Sequence, residues 1–219
     1  MVGHVFNYLF QVSMGRLLSV QTYGEMNALL STMMIFGIPF MTITNYLAKK
    51  VSHYNALGYS KQANELIVKS YRNVFVVGLI IMIVSGGFIG YVREYLRMAS
   101  VIPILLLFLC VLVSILIPLN TGILQGLHKF RMLAFMAGGF GITKCLMCVV
   151  LVLAGLGLNG IMLSIILSVL CVGYISFRPI KQHLMIGRES LGQGIGYSMP
   201  NIVPIFLANF TFAVMVQVD

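Results

Sequence analysis

The sequence predicts an all-α protein, a polytopic bundle of about six to seven membrane-spanning helices. Three observations carry that reading. Of the 219 residues, 59% are hydrophobic and only 9% are charged, whereas a water-soluble domain carries about 25% charged residues. Five charge-free runs follow one another, at 26–48, 73–92, 98–127, 145–177 and 190–218, and crossing ~30 Å of hydrocarbon takes roughly 20 apolar residues in a helix. The net charge of +9 is spread as punctuation between those runs rather than gathered in one patch. That pattern points to membrane topology and anionic lipid, and away from nucleic acid.

Taken in order, the spans are predicted at 1–19, 24–48, 70–92, 99–122, 132–154, 158–177 and 194–218. The first carries Asn7 and Gln11 one turn apart and reaches Arg16 near its end. The second contains Pro39 and Asn45. It is followed by the polar stretch KKVSHYNALGYSKQAN (49–64), read as a loop. Gly86 and Gly90 in the third span, and Gly122 and Gly126 in the fourth, have the small-xxx-small spacing that lets helices approach closely. Gln125 lies between the latter two. A second polar stretch, RPIKQHLMIGRESLGQG (178–194), separates the sixth and seventh spans. The last span holds Asn201 and ends at Asp219.

Counting Lys and Arg by side gives an orientation. The loops after spans two, four and six hold Lys49, Lys50, Lys61, Lys69, Arg72, Lys129, Arg131, Arg178, Lys181 and Arg188, while the opposite side holds Arg16, Arg93 and Arg97. The positive-inside rule then places the even loops and the N-terminus in the cytoplasm. No basic segment precedes the first apolar stretch and no small-residue cleavage site follows it, so a cleaved signal peptide is not expected. The apolar runs start and stop abruptly at both ends, and a truncated or partial chain is the expectation.

The stretch KCLMCVVLVLAGLGLNGIMLS (144–164) contains Gly155, Gly157 and Gly160 in the GxGxxG spacing of a dinucleotide site. That fingerprint needs a strand before it, a helix after it and an acid about 20 residues on. The first acid downstream is Glu189, and the motif sits inside a charge-free run too long for one span. GLGLNG is therefore read as a tight hairpin between spans five and six, with glycine supplying the turn conformations and Asn159 capping exposed backbone groups.

Lys144 is the exceptional residue. It follows Arg131 by 13 positions and precedes Gly155 by 11, which is ~16–20 Å from either boundary at 1.5 Å per residue. A lysine at the centre of a span costs roughly 2.5–3.5 kcal/mol on insertion scales and normally faces a partner or a wet cavity. Two readings follow: a structural lysine bonded to a carbonyl or carboxylate on another helix, or a cation in a transport cavity.

Enzyme chemistry finds little support. Cys145 and Cys148 form a CxxC inside an apolar run and read as small packing residues. The four histidines are scattered, and the five acids lie mostly at span ends or in loops, so neither a metal site nor a paired-carboxylate site is expected. No cofactor motif remains once the glycine hairpin is set aside.

Residues 7–58, with Arg16-Leu17-Leu18-Ser19, Tyr23-Gly24 and Ala48-Lys49, and residues 122–160, with Gln125-Gly126, Phe130, Lys144 and the three hairpin glycines, together carry a resemblance. The chain resembles the N-terminal lobe of bacterial oligosaccharide flippases, the polysaccharide-biosynthesis branch of the MATE-like superfamily. Pro200 and Asp219 fall where such proteins place a proline and an aspartate in span seven. The resemblance implies a two-lobed inner-membrane transporter that moves an undecaprenyl-diphosphate-linked oligosaccharide outward by alternating access. Residues 1–193 would be its six-helix N-terminal lobe and 194–219 the first helix of a truncated second lobe. Lys144 and Arg16 are then the cations for the diphosphate, and Asp219 a coupling or counter-charge group. Independently of the resemblance, Asn7, Gln11, Asn45, Gln125 and Asn201 are polar residues in or near spans that read either as hydrogen-bonding glue between helices or as the lining of a polar cavity that passes sugars. Its partners would be the lipid-linked oligosaccharide, membrane lipids and polysaccharide polymerase or assembly proteins. Two other readings stay open: a membrane-embedded polyprenyl-linked glycan enzyme, and a non-transporting scaffold of a polysaccharide-assembly complex.

Overall fold

A computed structural model describes residues 2–95 and 102–189. The predicted segment 194–219, with Pro200, Asn201 and Asp219, lies outside the described residues. Among the described residues every regular element is helical: α1 (Val2–Leu17), α2 (Val20–Ile35), α3 (Gly37–Ala56), α4 (Ser60–Tyr95), α5 (Ile102–Ser114), α6 (Leu116–Gly126), α7 (Phe130–Leu151) and α8 (Gly157–Glu189). Three stretches, Val20–Ala56, Ile102–Gly126 and Phe130–Lys181, are long and apolar enough to cross a membrane.

Two of the predicted spans are each built from two helices, and proline accounts for both breaks. Pro39 is the third residue of α3 and Pro118 the third residue of α6. Proline has no N–H to give to an i−4 carbonyl and its ring clashes there, so it is favoured in a helix's first turn, although α8 accommodates Pro179 in its interior. A new helix therefore starts just ahead of each proline, after Phe36 and after Ile115.

The polar stretches are shorter as loops than the sequence implies. α3 runs on to Ala56 and α4 starts at Ser60, leaving only residues 57–59 between them. The reason is amphipathicity: within 49–64 the chain buries Val51 and Ala63 while exposing Lys49 and Lys61. In the same way α8 continues to Glu189, through most of the predicted second loop.

The glycine hairpin is present. Gly155 and Gly157 have φ of 85° and 49°, in the left-handed region. As α7 advances, its partners on α8 recede: Lys129 meets Pro179, Gly139 lies against Val172, and Leu151 lies against Gly160. That register defines an antiparallel pair, and no strand occurs among the described residues to complete a dinucleotide fold. The predicted cap at Asn159 is not made through its side-chain oxygen: Oδ1 is buried with no hydrogen-bond partner.

Other pairs run parallel. Gly122 lies against Thr44 and Leu47, and Gly126 against Ala48 and Val51, so α6 and α3 advance together. A methyl group on Gly122 would stand 2.7 Å from the Thr44 carbonyl oxygen. The crossing exists because these residues have no side chain. Thr44 Oγ1 donates to the Pro118 carbonyl at 3.1 Å across the same contact. α1 and α7 are likewise parallel: Gly3 approaches Ala137 and Gly141, and farther along Cys148 Sγ lies 3.4 Å from Met14 Sδ.

These directions gather residues 57–59, the Leu127–Lys129 turn and the 179–183 part of α8 at one end of the bundle. His183 Nδ1 lies 2.9 Å from Asn64 Oδ1, and Lys129 Nζ donates to the Pro179 carbonyl at 3.2 Å. The three stretches read from charge as lying on one side are thus neighbours.

Candidate functional site

Lys144 sits on α7, fourteen residues after Phe130 and seven before Leu151, so the helix places it ~21 Å from one end and ~10 Å from the other. Parallel packing of α1 brings Asn7 opposite. Lys144 Nζ donates to Asn7 Oδ1 at 2.5 Å, lies 4.4 Å from the centre of the Phe10 ring and 5.7 Å from that of Phe140. An amide oxygen and two ring faces are weaker compensation than a carboxylate: a cation over an aromatic face contributes ~0.5–2 kcal/mol. Among the described residues the ion pair is Lys69–Glu65 at 2.5 Å, remote from this site, and Lys144 has no acid partner.

Phe140 is shared with a second feature. A cavity of about 340 Å³ lies between α6 and α7, with Thr121 and Gln125 from one helix and Met136, Ala137 and Phe140 from the other. Most of its lining is apolar, and the Thr121 hydroxyl and Gln125 carboxamide supply its polar groups. Phe140 thus borders both the ammonium and this cavity.

The remaining predicted residues are distributed more widely. Tyr23 Oη donates to Gln11 Oε1 at 3.2 Å, tying α1 to α2. Arg16 is exposed in the last turn of α1, nine positions beyond Asn7 and thus ~14 Å along the axis. It shares no contact with Lys144, and at a helix C-terminus its charge also complements the dipole. Asn45 is exposed on α3. The CxxC is packing: Cys145 and Cys148 are buried and free. Among the described residues no group of three metal-ligating side chains converges.

The sequence reading missed Asn120. It is buried, accepts from the Tyr71 hydroxyl, and donates from Nδ2 to Ser176 Oγ at 2.6 Å and to the Gly173 carbonyl at 3.3 Å. One amide thus joins α4, α6 and α8. Its position two residues after Pro118 in an otherwise apolar run was the available signal.

The chain matches no known protein-family model, no curated protein and no solved structure.

Proposed function

We propose that this chain is one lobe of a bacterial inner-membrane transporter, with six or seven spans and a cytoplasmic N-terminus, that moves an undecaprenyl-diphosphate-linked oligosaccharide across the membrane. The single observation behind this reading is the Lys144 ammonium, deep along an apolar helix and without a carboxylate partner among the described residues. Removing a cation from water costs several kcal/mol, and an amide oxygen with two phenyl rings returns only part of it. A diphosphate brought within 4 Å would add about 4 kcal/mol per unit charge at an effective dielectric of 20. The family likeness, through Tyr23-Gly24, Gln125-Gly126, Lys144 and the hairpin glycines, supplies the cargo class.

In this mechanism Lys144 holds the diphosphate, Asn7 fixes the ammonium between the rings of Phe10 and Phe140, and Gln125 and Thr121 offer hydrogen bonds to the glycan. Arg16, ~14 Å farther along α1, meets the cargo at a different stage of its passage. Asn45 and Asn201 line the cavity as polar residues within the predicted spans, and Asp219 serves as the coupling or counter-charge group. The work is binding and translocation, with no bond broken.

The test is binding of undecaprenyl diphosphate to the purified chain in detergent. Wild type and Lys144→Arg bind it, and Lys144→Ala binds at least tenfold more weakly. Equal binding by wild type and Lys144→Ala, or none by wild type, rejects the proposal.

A further inference from the structure

A second cationic place lies outside the Lys144 site, at the foot of the α7–α8 hairpin. The contact of Lys129 Nζ with the Pro179 carbonyl brings the start of α7 against residues 178–181 of α8. Four cations lie along this junction: Lys129 at the N-cap of α7 and Arg131 in its first turn, and Arg178 and Lys181 on either side of Pro179 in α8. Arg131, Arg178 and Lys181 are exposed, and among the described residues none of the four has an acid within ion-pair distance. Like charges so placed repel unless an anion sits among them.

Three features say what kind of anion. The Arg178 guanidinium lies over the exposed Tyr174 ring at 5.6 Å, which holds it at one level beside the helix. Phe130 and Tyr174, 62% and 66% exposed, flank the cations as aromatic residues flank a membrane–water boundary. From that level the same two helices present exposed apolar side chains, Phe135 on α7 and Leu170 on α8. A water-soluble phosphate would have no use for that apolar apron, whereas acyl chains would lie along it. α7 also starts without a side-chain cap, so its first N–H groups and the positive end of its dipole face the same place.

We propose that an anionic phospholipid seats its phosphate between Arg131 and Arg178, with its acyl chains along the outer face of the α7–α8 hairpin. Bound there, the lipid's single negative charge offsets part of the repulsion among the four cations and locks the turn at Lys129 to α8. This site is independent of the cargo role given to Lys144.

The experiment titrates the full chain in detergent with phosphatidylglycerol or phosphatidylcholine and counts bound lipid by native mass spectrometry. Wild type binds phosphatidylglycerol at least fivefold more tightly. The double variant Arg131→Gln/Arg178→Gln loses that preference, and Lys49→Gln/Lys61→Gln, which removes two cations elsewhere at the same end, keeps it. No headgroup preference in wild type, or equal loss in both double variants, overturns the site. If the arginine double variant does not fold, photoactivatable phosphatidylglycerol is crosslinked to wild type. Adducts confined to 130–135 and 171–181 support the proposal, and adducts spread over the other helices overturn it.

Discussion

Lys144 and Asn7 stand 137 positions apart in sequence and 2.5 Å apart in space. The pairing follows from parallel packing of α1 on α7, which Gly3 and Gly141 permit: Gly3 Cα lies 3.2 Å from where a methyl on Gly141 would sit. Hydrogen bonds to charged groups contribute ~1.5–3 kcal/mol in soluble proteins, but coupling between side chains within a membrane averages about 0.6 kcal/mol. A double-mutant cycle of Asn7→Ala and Lys144→Met, read by denaturant unfolding in mixed micelles, is expected to give ~0.6–2 kcal/mol. Lys144→Met alone leaves stability equal or higher, since it removes a charge that nothing acidic offsets. Strong destabilisation by that substitution would make the lysine a structural element and remove its cargo role.

The α3–α6 crossing makes a second prediction. A methyl on Gly126 would stand 2.6 Å from Val51 Cβ, whereas one on Gly24 would meet nothing within 4 Å. Gly126→Ala is expected to cost ~1–3 kcal/mol, the range of overpacking. Gly24→Ala is expected to be neutral or to stabilise by up to about 1 kcal/mol through helix propensity. Thermal unfolding of both variants in one detergent checks the contrast; equal shifts would mean the crossing is not as close as described.

Asn120 gives a third. Replacing it by Leu strands the Tyr71 hydroxyl, while Ser176 keeps its bond to the Gly173 carbonyl. A buried group left unpaired costs ~1–3 kcal/mol. Adding Tyr71→Phe removes the stranded hydroxyl, so the double variant is expected to recover part of that loss. A double variant no more stable than Asn120→Leu alone would contradict this account of the node.

How far the fold was legible in the sequence follows from the range of the forces involved. Hydrophobic runs mark helices because a long apolar stretch must satisfy its backbone within itself, and the GLGLNG hairpin is a local matter of backbone freedom at Gly155 and Gly157. Gly122 and Gly126 announced a close crossing but not its partner, α3. The breaks after Phe36 and Ile115 were hidden because Pro39 and Pro118 sit in runs whose hydropathy never falls. Helix continuation past Lys49 was hidden because a polar stretch with Val51 facing inward reads as a loop when its packing surface is unknown. For the site, Lys144 and Asn7 were both visible as polar residues in apolar spans. Their pairing was not, since it depends on which faces of α1 and α7 meet. Asn120 escaped notice because its partners come from two distant helices.

The last prediction concerns pH and the end of the bundle where α4, the Lys129 turn and α8 meet. His183 is partly buried, 2.9 Å from Asn64 Oδ1, and close enough to Lys129 to feel its charge. Burial first, and then Lys129, hold its imidazole below the ordinary value of 6.5. The folded chain therefore binds the His183 proton less readily than the unfolded chain does. By linkage, the stability due to neutral His183 is fully present above pH 6.5, falls as pH drops from there towards the lower folded-state value, and levels off beneath it. Unfolding measured between about pH 7.5 and about pH 5, the window that brackets an imidazole titration, should show this decline in wild type. His183→Gln, which can still pair with Asn64 but cannot charge, should flatten it. A slope unchanged in His183→Gln would assign the titration to another group and leave the Asn64–His183 contact without a role in pH response.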